Sequence, residues 1–293
     1  NMSSSGIFIM LVRKKFGIWS TDKLLVYYPK ERMVYQLADQ CISAVQRISI
    51  KDVLDFSFCP RYYDLKHRTV DELNMKEAYD ISLHNVFYAY LRALQNDTLK
   101  SSIEFLKYKW GREWIKNKTS TEIILTPSAL KRDLYDAKRR AGIDAIITFD
   151  NLMNTPQFPI IINREYELKI TDDIILTGVW EYIREVTLKN EKIFQILKFK
   201  TENNRFQVLG QMHHDLELTA AEMAFKQTFN GEAQLVYVDI YKKKMIPSYR
   251  SKSDQQTLIQ TVKSVAQCLK HNIRCVSPDK KCYHCEYRNE CLK

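Results

Sequence analysis

The sequence predicts one mixed α/β domain, because its hydrophobic periodicity changes along the 293 residues. Between residues 48 and 155, apolar residues recur at the three- and four-residue spacing of amphipathic helices. After residue 156, three apolar, β-branched segments separated by polar turns have the pattern of consecutive strands. A helical segment, another strand and a last helix follow, and this order of elements predicts a mixed α/β core.

The helical half begins with ISIKDVLDFSFCPRYYDLKH, in which Ser49 is a candidate N-cap. Three further segments carry apolar residues at helical spacing: EAYDISLHNVFYAYLRALQ, SIEFLKYKWGREWIKNK and TPSALKRDLYDAKRRAGIDAIITFDNLM.

The second half contains the predicted strands PIIINREYELKI, DIILTGVWEYIREV and KIFQILKFKT. The segment FQVLGQMHHDLELTAAEMAFKQTF predicts a long helix and EAQLVYVDIY a further strand. The last predicted helix is SDQQTLIQTVKSVAQCLKHN, with Ser253 as its candidate N-cap.

These elements divide the chain into a short appendage and one large domain. We expect residues 1–47 to form an N-terminal appendage, with strand-like pieces at GIFIMLV and KLLVYYP. We expect residues 48–293 to form a single domain with a helical part (48–155), a sheet core (156–250) and a C-terminal helix and tail (251–293).

The composition indicates a basic globular protein. Hydrophobic residues make up 45% of the chain and aromatic residues 12%, while only 7 Gly and 7 Pro argue against disorder. The net charge of +10 favours an anionic partner, of which nucleic acid is the usual one. The early apolar run GIFIMLV is too short to span a bilayer, and no basic segment precedes it. We therefore expect a cytoplasmic protein without membrane association.

Seven cysteines are distributed unevenly, with five of them in the last 26 residues. This clustering favours an intracellular metal site over a disulfide framework. The tail CYHCEYRNEC supplies three thiolates, whereas a tetrahedral zinc or an iron–sulfur cluster normally takes four protein ligands. Cys59 is the best placed candidate for the fourth, because Pro60 follows it at a turn. The other candidates are Cys41, Cys268 and Cys275.

The pairing of an early CPR with a terminal C-x2-C-x5-C resembles the iron–sulfur nucleases of the RecB-like PD-(D/E)XK superfamily. That group includes the AddB nuclease domain and the CRISPR-associated adaptation nucleases. The resemblance covers about residues 50–293 and implies a restriction-endonuclease-like fold. It also implies a 4Fe–4S cluster that joins the helical part to the tail, held by Cys59, Cys282, Cys285 and Cys291. Zinc is the alternative cofactor, because four thiolates also suit it.

The chemistry of this superfamily uses carboxylates to hold a divalent metal, and a lysine beside the attacking water. Two adjacent strands present these groups as G-x-x-D and (D/E)-x-K, and the pleat places residues i and i+2 on one face. Here LTGVWEYI and ILKFKT occupy the two positions. Glu181 stands where the motif has aspartate and Lys198 replaces the acidic residue, while Lys200 keeps the motif lysine. His84 matches the superfamily's upstream histidine.

Lys198 opposes metal binding at this site. Two unit charges about 4 Å apart repel by roughly 4 kcal/mol at an effective dielectric constant near 20, and Mg²⁺ or Mn²⁺ is doubly charged. The downstream helix has Glu217 in the position of the superfamily's glutamine and Ala221 in that of its tyrosine. Glu217 or Glu222 is a candidate replacement for the missing carboxylate.

A second assignment of the motif strands stays open. AGIDAIITFD contains Asp144, and REYELK contains Glu167 and Lys169 in an intact E-x-K. Those three residues would form an acidic, competent site. The helical pattern around Asp144 argues against this assignment.

Cations alternate with aromatic residues in FLKYKWGREWIKNK, a pattern typical of single-strand binding. The candidate DNA contacts are Lys107, Lys109 and Arg112, together with Arg61 beside Cys59. We expect Trp110 and Trp114 to pack in the core, because they share one helical face.

The sequence therefore predicts a DNA-binding protein with a degenerate nuclease domain, weak or inactive in cleavage, in DNA processing, recombination or repair. Its expected partners are single-stranded DNA or DNA ends, and a helicase or a recombination or adaptation protein. One alternative is an active Mg²⁺- or Mn²⁺-dependent deoxyribonuclease with a rearranged site. Another is a zinc-stapled protein-interaction module.

Overall fold

The structure is a computed structural model, and it divides the chain into two compact units, residues 1–46 and 47–293. It describes residues 8–12, 23–28, 33–36, 45–68, 75–96, 103–119, 129–154, 157–188, 190–201, 215–273, 282–283, 285 and 287–291. In the first unit, three strands form an antiparallel sheet in chain order: β1 (Phe8–Val12), β2 (Lys23–Tyr28) and β3 (Met33–Gln36). The first two coincide with the predicted strand pieces.

The second unit begins with strand β4 (Gln46–Ser49) and five helices. These are α1 (Ile50–Phe58), α2 (Pro60–Arg68), α3 (Met75–Gln95), α4 (Ile103–Thr119) and α5 (Ala129–Met153). The strands that follow are β5 (Phe158–Lys169), β6 (Ile174–Leu188) and β7 (Glu191–Lys200). The remaining elements are α6 (Leu216–Phe229), β8 (Ala233–Asp239), β9 (Lys244–Ser248), α7 (Lys252–Lys270) and α8 (Arg288–Cys291).

The strands of the second unit form one mixed sheet. Its order is β4-β6-β7-β8-β9, and β5 also pairs with β6. The β5–β6, β6–β7 and β8–β9 pairs are antiparallel, whereas β7 and β8 are parallel. The parallel pair requires a crossover connection, and α6 provides it. Two adjacent strands, β6 and β7, therefore carry the two predicted motif segments.

Helices cover both faces of this sheet. On one face, α1, α6 and α7 contribute Phe56, Phe225 and Val262 to a buried apolar cluster. On the other, α3, α4 and α5 bury a second cluster, in which the rings of Phe87 and Phe149 stack with centroids 3.9 Å apart. This arrangement confirms the predicted mixed α/β fold.

The first predicted helix is two helices in the structure. Ser49 caps α1 as expected, because its hydroxyl accepts from the Asp52 N–H at 3.0 Å and Asp52 completes a capping box. Cys59 then adopts an extended conformation with φ −167° and ψ 126°. Pro60 explains the break, since a proline disfavours helical geometry in the residue before it. Cys59 therefore lies at the joint between α1 and α2.

Two expectations about local structure need correction. The N-cap of α7 is Ser251 rather than Ser253, because the Ser251 hydroxyl accepts from the Asp254 N–H and Asp254 completes a capping box. The short strands β4 and β9 lie in segments whose patterns predict no strand. In contrast, Trp110 and Trp114 are confirmed as core residues with 1% and 2% exposure.

Candidate functional site

The candidate site lies where β6 and β7 separate. Their regular pairing extends from Leu188↔Glu191 to Tyr182↔Leu197. Beyond it, the Phe199 N–H donates to the Glu181 carboxylate at 2.6 Å. This bond fixes the Glu181 side chain, which is 18% exposed, beside the end of β7 that carries Lys198 and Lys200.

Lys198 is surrounded by carboxylates. Its ammonium group contacts Glu217 and lies 3.3 Å from Asp215. Asp215 is the N-cap of α6 and also accepts from the Leu218 N–H at 2.9 Å. Burial lowers the pKa of Lys198, but Glu217, Asp215 and Glu181 together raise it above its ordinary value. Lys198 is therefore a fixed cation at neutral pH.

His84 approaches the same carboxylate from α3. Its Nε2 lies 3.9 Å from Glu181, and its Nδ1 lies 3.4 Å from the Asp80 carboxylate one helical turn earlier. Burial lowers the pKa of His84, but the hydrogen bond to Asp80 and the charge of Glu181 raise it to about 9. The imidazole is therefore a second cation at neutral pH.

Burial also changes the acids of this region. It raises the pKa of Glu181, although His84, Lys198 and the Phe199 N–H oppose that shift. Burial raises the pKa of Asp80 as well, but hydrogen bonds from His84 and Thr201 outweigh it, so the net shift is downward. Glu181 is the carboxyl group of this pair that gains a proton more readily as the pH falls.

Lys200 has a separate partner. Its ammonium group lies 3.7 Å from Oδ2 of Asp239, a residue at the end of β8 that is 1% exposed. The other oxygen of Asp239 accepts from the Lys242 N–H at 2.8 Å. The retained motif lysine is thus held toward β8. We call His84, Glu181, Lys198, Lys200, Asp215 and Glu217 the charged centre.

A divalent ion does not fit the charged centre in this arrangement. Glu181, Asp215 and Glu217 each already accept from a donor, and for two of them that donor is Lys198. Across the described part of the chain, no group of three or more His, Cys, Asp or Glu side chains is arranged to hold a metal ion. The Lys198 ammonium lies among the carboxylates that a metal would need.

The two candidates for a replacement carboxylate differ. Glu217 reaches Lys198 and belongs to the charged centre. Glu222 has other partners: its carboxylate accepts from Gln255 on α7 at 3.2 Å and lies 3.5 Å from Lys226. Of the two candidates, Glu217 is therefore the one with a contact to Lys198.

The alternative motif assignment requires its residues to lie on adjacent strands, and the structure does not place them there. Asp144 lies on helix α5 rather than on a strand, and a Cβ at the nearby Gly142 would lie 2.0 Å from Trp110, so packing explains that glycine. Glu167 and Lys169 are exposed on β5, where they pair with Arg47 and Asp172. Asp144, Glu167 and Lys169 therefore do not face each other from adjacent strands.

The C-terminal tail packs against the joint between α1 and α2. The rings of Tyr62 and Tyr287 meet edge to face with centroids 5.4 Å apart. Burial raises the pKa of the Cys285 thiol, and Cys282, Cys59 and Cys291 raise it further through their charge. The charges of the other three cysteines that the resemblance selects therefore act on the Cys285 thiol, and we call these four residues the thiol site.

The thiol site has donors that suit a thiolate-bound cofactor. Among the residues that the structure describes, no group of three or more His, Cys, Asp or Glu side chains is arranged to hold a metal ion, so the cofactor of these cysteines stays a prediction. Of the other candidates, Cys268 packs against the core cluster on α7. Cys41 and Cys275 lie outside the described residues.

The candidate DNA contacts lie on α2 and α4. Arg61 is held by Asp64 at 2.9 Å. Lys107 is exposed, while Lys109 and Arg112 lie over the rings of Phe105 and Tyr108, at 5.7 and 5.8 Å from their centroids. The last two cations are therefore kept at the surface by aromatic neighbours.

The second unit matches a known protein family. The model of the PD-(D/E)XK nuclease superfamily matches residues 47–292, which is nearly all of this unit. The chain belongs to this superfamily. PD-(D/E)XK nucleases typically use Mg²⁺ or Mn²⁺ and act on DNA. No curated protein matches the chain.

Sequence reasoning missed several residues in and around the charged centre. Asp215 precedes an apolar helical run, so its N-cap position was available as a signal. Asp80 lies four residues before His84 on one helix, a spacing at which side chains meet. For Asp239 no local signal exists, because its approach to Lys200 depends on the parallel pairing of β7 with β8.

No helix in the described ranges has both the length and the apolar character needed to cross a membrane.

Proposed function

We propose that this protein is a degenerate PD-(D/E)XK nuclease that binds DNA and cleaves it weakly or not at all. The observation that carries the proposal is the position of Lys198, whose ammonium group contacts Glu217 and lies 3.3 Å from Asp215. A tethered cation in that position neutralises the carboxylates that a divalent metal would otherwise use.

A metal ion would have to displace Lys198 from its carboxylate partners. Binding a divalent ion at Glu181, Asp215 and Glu217 requires Lys198 to leave its two carboxylate partners. Breaking a buried ion pair costs about 3–5 kcal/mol when one partner loses its compensation. With the side chain of Lys198 22% exposed, part of that cost remains after solvent screening. Metal binding in the wild-type protein is therefore expected to be weak.

DNA binding is supported by charge and by membership of the superfamily. The chain carries 45 Lys and Arg against 35 Asp and Glu. Exposed cations beside aromatic rings on α4 suit a single strand or a DNA end, since bases stack on aromatic rings while cations contact phosphates. In this proposal Lys107, Lys109, Arg112 and Arg61 contact DNA, and a helicase or a recombination or adaptation protein is the protein partner.

We further propose that the thiol site holds a 4Fe–4S cluster, as in RecB/AddB-like nucleases. The support is that Cys59, which 222 residues separate from Cys282, acts on the Cys285 thiol together with Cys282 and Cys291. The cluster's expected role is to tie the tail to the joint between α1 and α2. Iron and sulfide analysis of protein purified without oxygen tests this: a colourless protein that contains zinc and no iron would support the zinc alternative.

One observation favours a second candidate, an active nuclease. The charges of three carboxylates, those of Glu181, Asp215 and Glu217, all raise the pKa of Lys198. A movement of Lys198 would leave these carboxylates, with Lys200, in the composition of a metal-dependent hydrolytic site.

A cleavage assay separates the two candidates. The cofactor-loaded protein is incubated with single- and double-stranded DNA in the presence of Mg²⁺ or Mn²⁺, beside Glu181→Ala. Salt-sensitive binding without cleavage supports the degenerate nuclease. Cleavage that disappears in Glu181→Ala supports the active one, because a contaminating nuclease would be insensitive to that substitution.

A further inference from the structure

A groove of about 570 Å³ lies between α5 and the turn that joins β8 to β9. The α5 side is lined by Asp144, Thr148 and Asn151, and the turn contributes Tyr241 and Lys243. This volume is within the range of about 300–1,000 Å³ that is typical of sites for small molecules. The groove is large enough for one base and its sugar.

The turn is fixed by hydrogen bonds from both of its sides. The Ile240 N–H donates to the Lys200 carbonyl at 3.0 Å, and the Lys242 N–H donates to the Asp239 carboxylate at 2.8 Å. Lys243 has a φ of 54°, which closes the turn in the left-handed region. The turn therefore holds the backbone of Tyr241 in place, although the residue is 61% exposed.

Three exposed lysines follow this tyrosine, at residues 242–244. An aromatic ring beside consecutive cations is the combination by which single-stranded nucleic acid is bound without sequence preference. The opposite wall is different, because Asp144 and Asn151 offer a carboxylate and an amide. Asp144 repels a phosphate, whereas both side chains can bond to the polar edge of a base.

We propose that this groove binds one unpaired nucleotide of single-stranded DNA. Tyr241 stacks on the base, Lys243 contacts the phosphate, and Asp144 and Asn151 face the base edge. The inference rests on the proposed function, since it names the place at which the DNA-binding protein holds its strand.

The groove also borders the charged centre. Thr201 lines it and follows Lys200 directly in the chain. The Thr201 hydroxyl donates to Asp80, which accepts a hydrogen bond from His84. A nucleotide held in the groove therefore lies beside the strand ends that carry the superfamily's motif residues.

The test compares two exposed tyrosines. Fluorescence anisotropy measures the Kd of the full-length, cofactor-loaded protein for a labelled single strand of about twenty nucleotides. Stacking of a base on an aromatic ring predicts that Tyr241→Ala raises Kd at least about fivefold, while Tyr241→Phe keeps the wild-type Kd. The matched control is Tyr249→Ala, because Tyr249 is 68% exposed and lies outside the groove lining. Unchanged thermal unfolding of each variant excludes a folding defect.

The outcomes for the groove and for the proposed function are distinct. A weakening of binding confined to Tyr241→Ala supports the groove. Equal Kd values for Tyr241→Ala, Tyr249→Ala and wild type overturn it and leave DNA binding elsewhere on the protein. If the wild-type protein binds no single strand, the groove is overturned; if it also binds no double-stranded DNA, the proposed function is overturned with it.

Discussion

The thiol site and the charged centre belong to the same domain, but they differ in the groups that they contain. The thiol site consists of donors of one kind, Cys59 and three cysteines of the tail. In the proposed function, the charged centre occupies the positions of a nuclease site but contains charges of both signs, with Lys198 between Asp215 and Glu217. A structural cofactor site no longer holds its cofactor when any one donor is lost. A catalytic centre, in contrast, can lose its metal and remain folded if an internal cation replaces the metal.

From this comparison we infer a structural role for Lys198. Carboxylates gathered at strand ends repel each other unless a cation lies among them. In a metal-dependent nuclease that cation is the metal. In this chain the ammonium group has the same electrostatic effect, which is why the partly buried carboxylates of Asp215 and Glu217 can stay close to each other.

The largest effect is expected at the thiol site. Cys59→Ser should lower the free energy of unfolding by about 4 kcal/mol, because the proposed cofactor would close a loop of more than two hundred residues. Urea unfolding and the bound-iron content measure the change. Cys268→Ser, on α7 and outside the thiol site, is the control and should keep its iron. Equal iron content in both variants would remove Cys59 from the ligands.

A smaller destabilisation is expected when the internal cation is removed. Lys198→Met should lower the free energy of unfolding by about 3 kcal/mol, because Asp215 and Glu217 lose their shared partner. Lys192→Met on the same strand is the matched control. Its side chain is 74% exposed and its ammonium group pairs with Glu185, so a change of less than about 0.5 kcal/mol is expected. If the two variants are equally stable, Lys198 does not compensate the carboxylates.

Because His84 of the charged centre has a raised pKa, we expect the free energy of unfolding to depend on pH. The pKa of His84 is raised to about 9 in the folded protein, from 6.5. Its contribution to stability is therefore fully present below about pH 6.5 and is lost as the pH rises through 9. Between pH 7 and 9.5 the free energy of unfolding should fall by about 2 kcal/mol.

The variant His84→Gln should flatten that part of the stability profile, whereas His271→Gln at the exposed end of α7 should leave it unchanged. Chemical denaturation at a series of pH values is the measurement. A wild-type profile that stays level above pH 7 would contradict the interaction of His84 with Asp80 and Glu181.

The smallest effect concerns the surface of α4. Removing one cation that binds a phosphate should reduce the slope of log K against log salt by about 0.7 for a single strand. The double variant Lys107→Ala, Arg112→Ala should therefore lower that slope by about 1.4. Lys51→Ala, an exposed cation on α1, serves as the control. A slope equal to that of wild type would show that α4 does not contact DNA.

The sequence predicts those features of the structure that neighbouring residues determine. Ser49 is found as an N-cap because its partner Asp52 is three residues away. The same reasoning fails for α7, where Ser251 and Ser253 are both near the start of the helix and only the capping bond to Asp254 distinguishes them. The break at Cys59 follows from Pro60, although the surrounding helical periodicity hides it.

In the candidate site, too, some residues can be predicted from local sequence and others cannot. Glu181, Lys198 and Lys200 are predicted by motif spacing, and the structure places them on adjacent strands. The partners of the two lysines come from elsewhere in the chain: Asp215, the N-cap of α6, lies near Lys198, and Asp239, at the end of β8, lies near Lys200. Contacts between such distant parts of the chain have no periodic signature. For that reason the substitution at Lys198 could be recognised in the sequence, while its compensation by Asp215 could not.

The most direct test of the central claim, that Lys198 replaces the metal, is thermal unfolding in the presence of Mn²⁺. The measurement is made on wild type, on Lys198→Met, and on each of them combined with Glu181→Ala. We predict that Mn²⁺ leaves the Tm of wild type unchanged and raises that of Lys198→Met. At a concentration one hundred times Kd, a bound ligand stabilises by about 2.7 kcal/mol. Glu181→Ala should abolish that increase. An equal, Glu181-dependent rise in wild type would contradict the account, because the metal would then bind with Lys198 present.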